Sequence, residues 1–299
     1  MTSLRITQNA MNRTQMMGLN TSLSRLQGTQ EQLTTGKRLN RPSDDPVGTV
    51  QALRFRSEQS QLAQFGANIT DGLSRLSAGD DALSQTLSMV QKIRSTTVSA
   101  LNGVNGDAQR KAFASSIREL RVGILQQANS QYAGQPLFGG TTPLDNAFDA
   151  NGTYQGNTLP VLRQVSDSPG DAGQMNVGIS GSDAFGTALV KGSGALDKLA
   201  DAIEAGDNAG IQAGLTAVEG LNDSILNVQT SVGVRVNRLQ SLENLNGRMD
   251  DSSKISLSKV EDTDFIKAAM DLSIQSNAYQ AALSASAKII QPSLMDFLR

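Results

Sequence analysis

Between Phe265 and Ile290 apolar or small residues recur at Phe265, Ala269, Leu272, Ser276, Tyr279, Leu283, Ser286 and Ile290, in steps of 4, 3, 4, 3, 4, 3 and 4. That is an unbroken heptad seam, the mark of a helix packed along a narrow line against another helix. If residues 262–291 are one helix, it is about 45 Å long at 1.5 Å per residue. A second seam lies at the other end of the chain, at Met16, Leu19, Leu23, Leu26 and Leu33 with Gln30 in the vacant slot. Pairing the two seams joins segments more than 200 residues apart, so the chain must run out along helices and return beside itself. Both seams are diluted with polar or small residues. A lone pair therefore buries little, at ~25 cal/mol per Å², against roughly 1–2 kcal/mol of backbone entropy per residue. Ala268, Ala269, Ala278, Ala281, Ala282 and Ala285 leave room for further helices. Ordinary packing within one chain produces such seams too, so periodicity alone leaves both readings open.

Between the seams the chain divides by composition. Gly36 follows Thr35 where a left-handed C′ residue ends a helix, and Ser43-Asp44-Asp45-Pro46 supplies capping oxygens and then proline at a first helical position. From Leu62 the apolar register runs Phe65, Ile69, Leu73, Leu76, Leu83, Leu87 and Val90, giving a helix from 46 to about 102 with a possible break near Gly79. A turn at 102–107 precedes Phe113, Ile117, Leu120 and Ile124, a second arm that ends before Gly134. Residues 135–190 lose the helical period, gather Pro136, Pro143, Pro160 and Pro169, and hold five acids against Arg163. They read as a small β-rich insert. Helix returns over about 193–206 and 208–252, with a seam at Val232, Val236 and Leu239 that Asp250-Asp251-Ser252-Ser253 interrupts. The expected fold is mainly α, an elongated rod of long antiparallel helices with the terminal helices paired as a coiled coil. Three domains follow: 1–40 with 256–299, 41–134 with 191–255, and the insert 135–190.

Chemistry is narrowed by what is missing. The 299 residues include no histidine, cysteine or tryptophan, which removes Ser-His-Asp triads, thiol chemistry, disulfides and zinc fingers. A carboxylate-only site survives that filter. Net charge is −2, so no global positive field exists to hold nucleic acid. No stretch approaches the ~20 apolar residues of a membrane span, and residues 1–30 show no signal-like apolar run.

The block Leu33-Thr34-Thr35-Gly36-Lys37-Arg38-Leu39-Asn40-Arg41-Pro42-Ser43-Asp44-Asp45-Pro46-Val47-Gly48 resembles the N-terminal signature of the flagellin superfamily. Flagellins usually carry Ala on both sides of the acidic pair. The proline-flanked form here, with Pro42 and Pro46, resembles the hook-filament junction branch. Tyr154-Gln155-Gly156-Asn157, Gly178 through Phe185 and the tail Ser286 to Leu298 match in the same direction, although Phe297-Leu298-Arg299 is close to flagellin tails as well. The resemblance covers nearly the whole chain, most specifically 31–70 and 260–299.

That resemblance implies a secreted structural subunit at the hook-filament junction of the bacterial flagellum, exported unfolded by the type III route without a cleaved signal. It implies terminal helices lining a central channel and an insert facing outward. The partners it implies are further copies of the chain in a helical ring, the hook-side junction protein (hook-associated protein 1), the filament's flagellin, and a cytosolic export chaperone on the C-terminal helix. Nucleic acid and membrane are not expected partners, and no cofactor, metal or catalytic residue is expected. A short flagellin forming the filament body is the alternative.

The expected assembly residues are Leu19, Leu23, Leu26, Leu33, Leu272, Tyr279, Leu283 and Ile290, with Gly36, Pro42, Asp44, Asp45 and Pro46 as capping and signature residues. Asp44 with Asp45 reads as helix capping rather than a catalytic pair. Asp80-Asp81 and Asp250-Asp251, the latter near Glu261, Asp262 and Asp264, lack EF-hand spacing and read as solvated helix ends. The glycine-rich runs 192–194 and 206–210 lack phosphate-loop residues and read as turns. Eight bases against four acids in residues 1–60 read as interface charge or a solvated face. A hydrolase built on Asp145, Asp149 and Asp167 is conceivable, but nothing in their spacing specifies it.

Overall fold

The structure, a computed structural model, describes residues 2–103 and 106–295, with side chains from residue 10 to residue 287. It is mainly helical. Helices α1 (Thr2–Thr35), α2 (Pro46–Asn102) and α3 (Asp107–Ala128) precede a stretch of turns and short strands. Helices α5 (Ala195–Ala205), α6 (Asn208–Glu261) and α7 (Phe265–Met295) follow it. Within the irregular stretch β1 (Gln131–Tyr132) pairs antiparallel with β2 (Gln135–Pro136), and β3 (Leu162–Gln164) with β4 (Gln174–Asn176). A short helix α4 spans Gly181–Phe185. The chain forms two compact units, Met1–Gln61 with Asp250–Arg299 (unit one) and Leu62–Met249 (unit two).

In unit two the long registers read from sequence become one hydrophobic cluster. Ile69, Leu76, Leu83 and Val90 of α2 are buried with Ile117 and Ile124 of α3 and with Ile225, Val232 and Leu239 of α6. The β-rich stretch adds Leu137, Phe138, Phe148, Val177, Ile179, Phe185 and Leu189 to the same cluster. Its rings interlock: Phe185 meets Phe138 and Phe148 edge to face at 5.3 and 5.5 Å, and Tyr154 lies 5.2 Å from Phe148. The strands are short because most of the stretch is held by side-chain-to-backbone bonds instead of ladders. Asn129 brackets Phe148 with bonds to its N–H and its carbonyl. Asn157 accepts from Thr141 N and Leu159 N, both at 3.1 Å. The Tyr154 hydroxyl sits 2.8 Å from Asn157 O and 3.0 Å from Phe138 O, and burial raises its pKa.

Three arginines on three helices hold this stretch by its main chain. Arg75 of α2 donates to Pro136 O at 3.0 Å, Arg121 of α3 to Leu189 O at 2.9 Å, and Arg235 of α6 to Gly178 O at 2.7 Å. Arg121 also lies 3.0 Å from the Asp197 carboxylate. That contact is an ion pair set off the hydrogen-bond line, since both facing atoms lack a bonded partner by angle. The second Asp197 oxygen accepts Gly192 N at 2.7 Å.

Helix α2 runs without a break through Gly79, contrary to the interruption entertained from sequence. The glycine is a notch. A Cβ there would stand 2.2 Å from Ile179 Cδ1, and one at Gly72 would stand 2.8 Å from Val177 Cγ1. Both neighbours come from the segment after β4, so the missing side chains let it lie against the helix. Gly79→Ala gains about 1 kcal/mol of helix propensity but overpacks a full core, at about 1–3 kcal/mol. Net destabilisation is expected, read as a lower denaturant midpoint; an unchanged or higher midpoint contradicts the notch.

Two further expectations need correction. Asp80-Asp81 and Asp250-Asp251 lie inside helices, not at their ends, and α6 runs on to Glu261. The polar run at 250–253 is tolerated because Lys254 pairs with Asp250 at 2.6 Å one turn on. Ser253, meanwhile, is buried with its hydroxyl 3.5 Å from Phe55 O.

Candidate assembly interface

In unit one α1 and α7 pack side by side. Thr29 Oγ1 donates to Gln275 Oε1 at 3.0 Å, and Thr263 N donates to Gly36 O at 3.0 Å, which fixes them as antiparallel. Leu19, Leu23, Leu26 and Leu33 of α1 are half-buried, as are Leu272 and Tyr279 of α7. Among the described side chains only Thr29 of α1 and Ala268 of α7 are buried. Thr29, not Gln30, takes the vacant slot, and Ala268 and Ala282 turn inward where Ala269 and Leu283 were expected. On both helices the buried line still keeps a heptad, Gln15, Leu19, Ser22, Leu26, Thr29 and Leu33 on α1 and Ala268, Leu272, Gln275, Tyr279, Ala282 and Ser286 on α7, displaced by one residue at alternate slots from the expected line. Met16 and Leu283 occupy displaced slots and are exposed, and Phe265 is exposed at the first residue of α7. Ile290 falls within α7, but its side chain lies outside the described residues.

A second apolar line on α7 is mostly exposed. Ile266, Met270 and Ile274 step four residues apart and are 77, 61 and 62% exposed. Met11, Met16 and Met17 are exposed on α1, and Val47, Val50 and Leu53 at the start of α2.

The turn after α1 is built by its glycine and its acids. Gly36 adopts φ +71°, the left-handed conformation that ends the helix. Asp45 stands before Pro46, the first residue of α2, and its Oδ1 accepts Gly48 N at 2.9 Å. That backbone N–H, opposed by some burial and aided by Arg38, holds the Asp45 carboxyl below its ordinary range. Asp44 Oδ2 accepts Arg41 N at 2.8 Å, and Pro42 is exposed in the same loop.

Glu261 closes this turn. Its side chain is only 4% exposed and receives Lys37 Nζ and, at 2.5 Å, Arg56 Nη2. Its carbonyl accepts Arg38 N at 2.6 Å, while the Arg38 guanidinium donates to Val260 O at 2.8 Å. Burial pushes the Glu261 pKa up, but Lys37 and Arg56 outweigh it and hold the carboxyl below its ordinary value. Its contribution is therefore present above the unfolded value of 4.5 and is lost as pH falls through the lower folded value. Glu261→Gln should cost about 1–2 kcal/mol, modest because both cations are half exposed. It should also flatten the acid limb of unit-one protection in amide exchange; an acid limb unchanged in the variant contradicts this.

Sequence reading missed this cluster because it ended α6 at about 252, short of Glu261. An acid at the C-terminal end of a long helix opposes the helix dipole and calls for a compensating cation. Three other acids of the sequence-flagged runs bond to nearby backbone N–H groups. Asp264 Oδ1 accepts Ile266 N and Lys267 N at the start of α7, Asp207 Oδ1 accepts Ala209 N, and Asp149 Oδ1 accepts Asn151 N and Thr153 N. Among the described residues no group of three acids could hold a metal ion, and no helix is long and apolar enough to cross a membrane.

Residues 6–142 match the family model of the bacterial flagellin N-terminal helical region. The chain is 27% identical to flagellar hook-associated protein 3 of Salmonella typhimurium, over 95% of each. It is 25% identical to the flagellin of Bacillus subtilis, over 94% of this chain and 95% of that one. A solved flagellar hook-associated protein from Vibrio parahaemolyticus shares the fold with a TM-score of 0.64 and 21% identity, covering 72% of this chain and 99% of that one. The chain is thus similar to the flagellin helical region over residues 6–142 and to hook-associated protein 3 along 95% of each chain, on a fold of long helices shared with a solved hook-associated protein.

Proposed function

We propose that this chain is a structural subunit of the hook-filament junction of the bacterial flagellum. The observation that carries the proposal is the α1/α7 pair, which among the described side chains buries only Thr29 and Ala268 and leaves Ile266, Met270 and Ile274 mostly exposed. Such a pair is too poorly buried to be rigid alone and gains apolar cover only from neighbours, so folding of the ends is coupled to assembly. The proline-flanked Asp44-Asp45 pair and the likeness to hook-associated protein 3 favour the junction over the filament body. Further copies of the chain, hook-associated protein 1 and flagellin are its proposed neighbours. Export by the type III route, with a chaperone on α7 beforehand, belongs to the same reading.

The test exploits the exposed line. Met270→Glu with Ile274→Glu touches no buried position, so the melting temperature of the purified chain should move little. Placed in a motile strain lacking its own junction protein, the double variant should fail to retain filaments while the unaltered chain restores them. Full restoration by the variant overturns the reading. If the purified chain instead polymerises by itself into long filaments, the short-flagellin alternative takes its place.

A further inference from the structure

In unit two a cavity of about 380 Å³ opens between α6 and the loops around Asn157–Pro160 and Gly178–Ser180. Small-molecule sites begin near ~300 Å³. The α6 wall presents Asn227, Ser231 and Arg235, four residues apart and so stacked on one helix face. Arg235 spends one of its N–H groups on Gly178 O. No carboxylate pairs with it among the described residues, and burial lowers its pKa with no acid to oppose the shift. A half-buried guanidinium whose other donors face a cavity lacks the anion that its planar fork is built to take.

The rest of the lining offers donors and acceptors without charge. Asn227 and Ser231 have no side-chain hydrogen bond among the described residues, and the Asn176 amide nitrogen is also unengaged while its oxygen accepts Gly178 N at 2.9 Å. The single acid of the lining is Asp183, which is exposed and repels an anionic group toward Arg235. Leu159, Val228 and Val232 supply apolar contact.

We propose that this cavity binds a sugar acid, a pyranose carrying one carboxylate, with the carboxylate on Arg235 and ring hydroxyls on Asn227, Ser231 and the Asn176 amide. A neutral sugar leaves the guanidinium uncompensated. A bare carboxylate leaves the stacked amide and hydroxyl groups unused. The cavity shares no lining residue with the proposed assembly surface, and the proposal stands whether or not the junction reading does.

The test titrates the full chain, followed by NMR shifts, with sodium D-glucuronate, D-glucose and sodium acetate. Glucuronate should saturate, and glucose and acetate should bind at least about tenfold more weakly, the loss expected when a bidentate partner is missing. Asn227→Leu and Ser231→Val should each weaken glucuronate by about five- to tenfold with the melting temperature unchanged. Arg235→Lys keeps the charge but loses the fork, and should weaken glucuronate without raising glucose. The proposal is overturned by the absence of a saturable glucuronate shift, by equal affinity for glucose, or by unchanged affinity in both the Asn227 and Ser231 variants.

Discussion

A chain cut after Glu261 should remain soluble and largely helical, keep the melting transition of unit two, and fail to assemble. Removing residues 262–299 takes away all of α7 and with it the Thr29 to Gln275 and Gly36 to Thr263 bonds that hold α1. Nothing in the unit-two cluster is lost, because its members run from Ile69 to Leu239. Far-UV circular dichroism and calorimetry read the middle, and electron microscopy of cells carrying the truncation reads the junction. Helix α1, left without its partner, should exchange its amides at nearly the rate of a free peptide, since most helical stability in proteins comes from tertiary packing. Intact junctions built from the truncated chain contradict the role given to α7.

Phe185→Ala should be the most damaging single substitution away from the termini. The ring is 1% exposed and edge-packed on both Phe138 and Phe148. Truncating a buried phenylalanine costs about 3–5 kcal/mol, a large share of the roughly 5–15 kcal/mol that holds a domain together. Unit two has the size for which each kcal/mol moves the midpoint by about 2–4 °C, so a fall of about 6–20 °C is expected in calorimetry. The helices should persist longer than the β-rich stretch, so near-UV signal from Tyr154 should be lost before far-UV signal. A midpoint shift below about 2 °C means that the ring cluster does not carry the docking of that stretch.

Much of this fold was legible because its signals are local. The end of α1 at Thr35 follows from Gly36, the start of α2 at Pro46 from the acids and proline around it, and the buried positions from Leu62 to Val90 from their spacing alone. What was not legible depends on partners distant in sequence. Gly79 carries the same symbol whether it breaks a helix or makes room for Ile179. Thr29 became the buried slot because of Gln275, which lies 246 positions away. Glu261 looked like one more solvated acid until Lys37 and Arg56 were placed beside it. On the interface, the half-buried seam was readable as a period, but the bare line at Ile266, Met270 and Ile274 was not, since a period shows which residues share a face and not which face is already covered.

The arginine bonds to Pro136, Leu189 and Gly178 share a property with consequences for how such chains diverge. Each accepting oxygen belongs to the peptide unit, which every amino acid brings equally. The anchors therefore ignore the identity of the residue they grip, and natural variants could rewrite much of the outer surface between them without retuning the helices beneath. Diversity tolerated there, with the three guanidinium positions kept fixed, is what a library selected for stable folding should return.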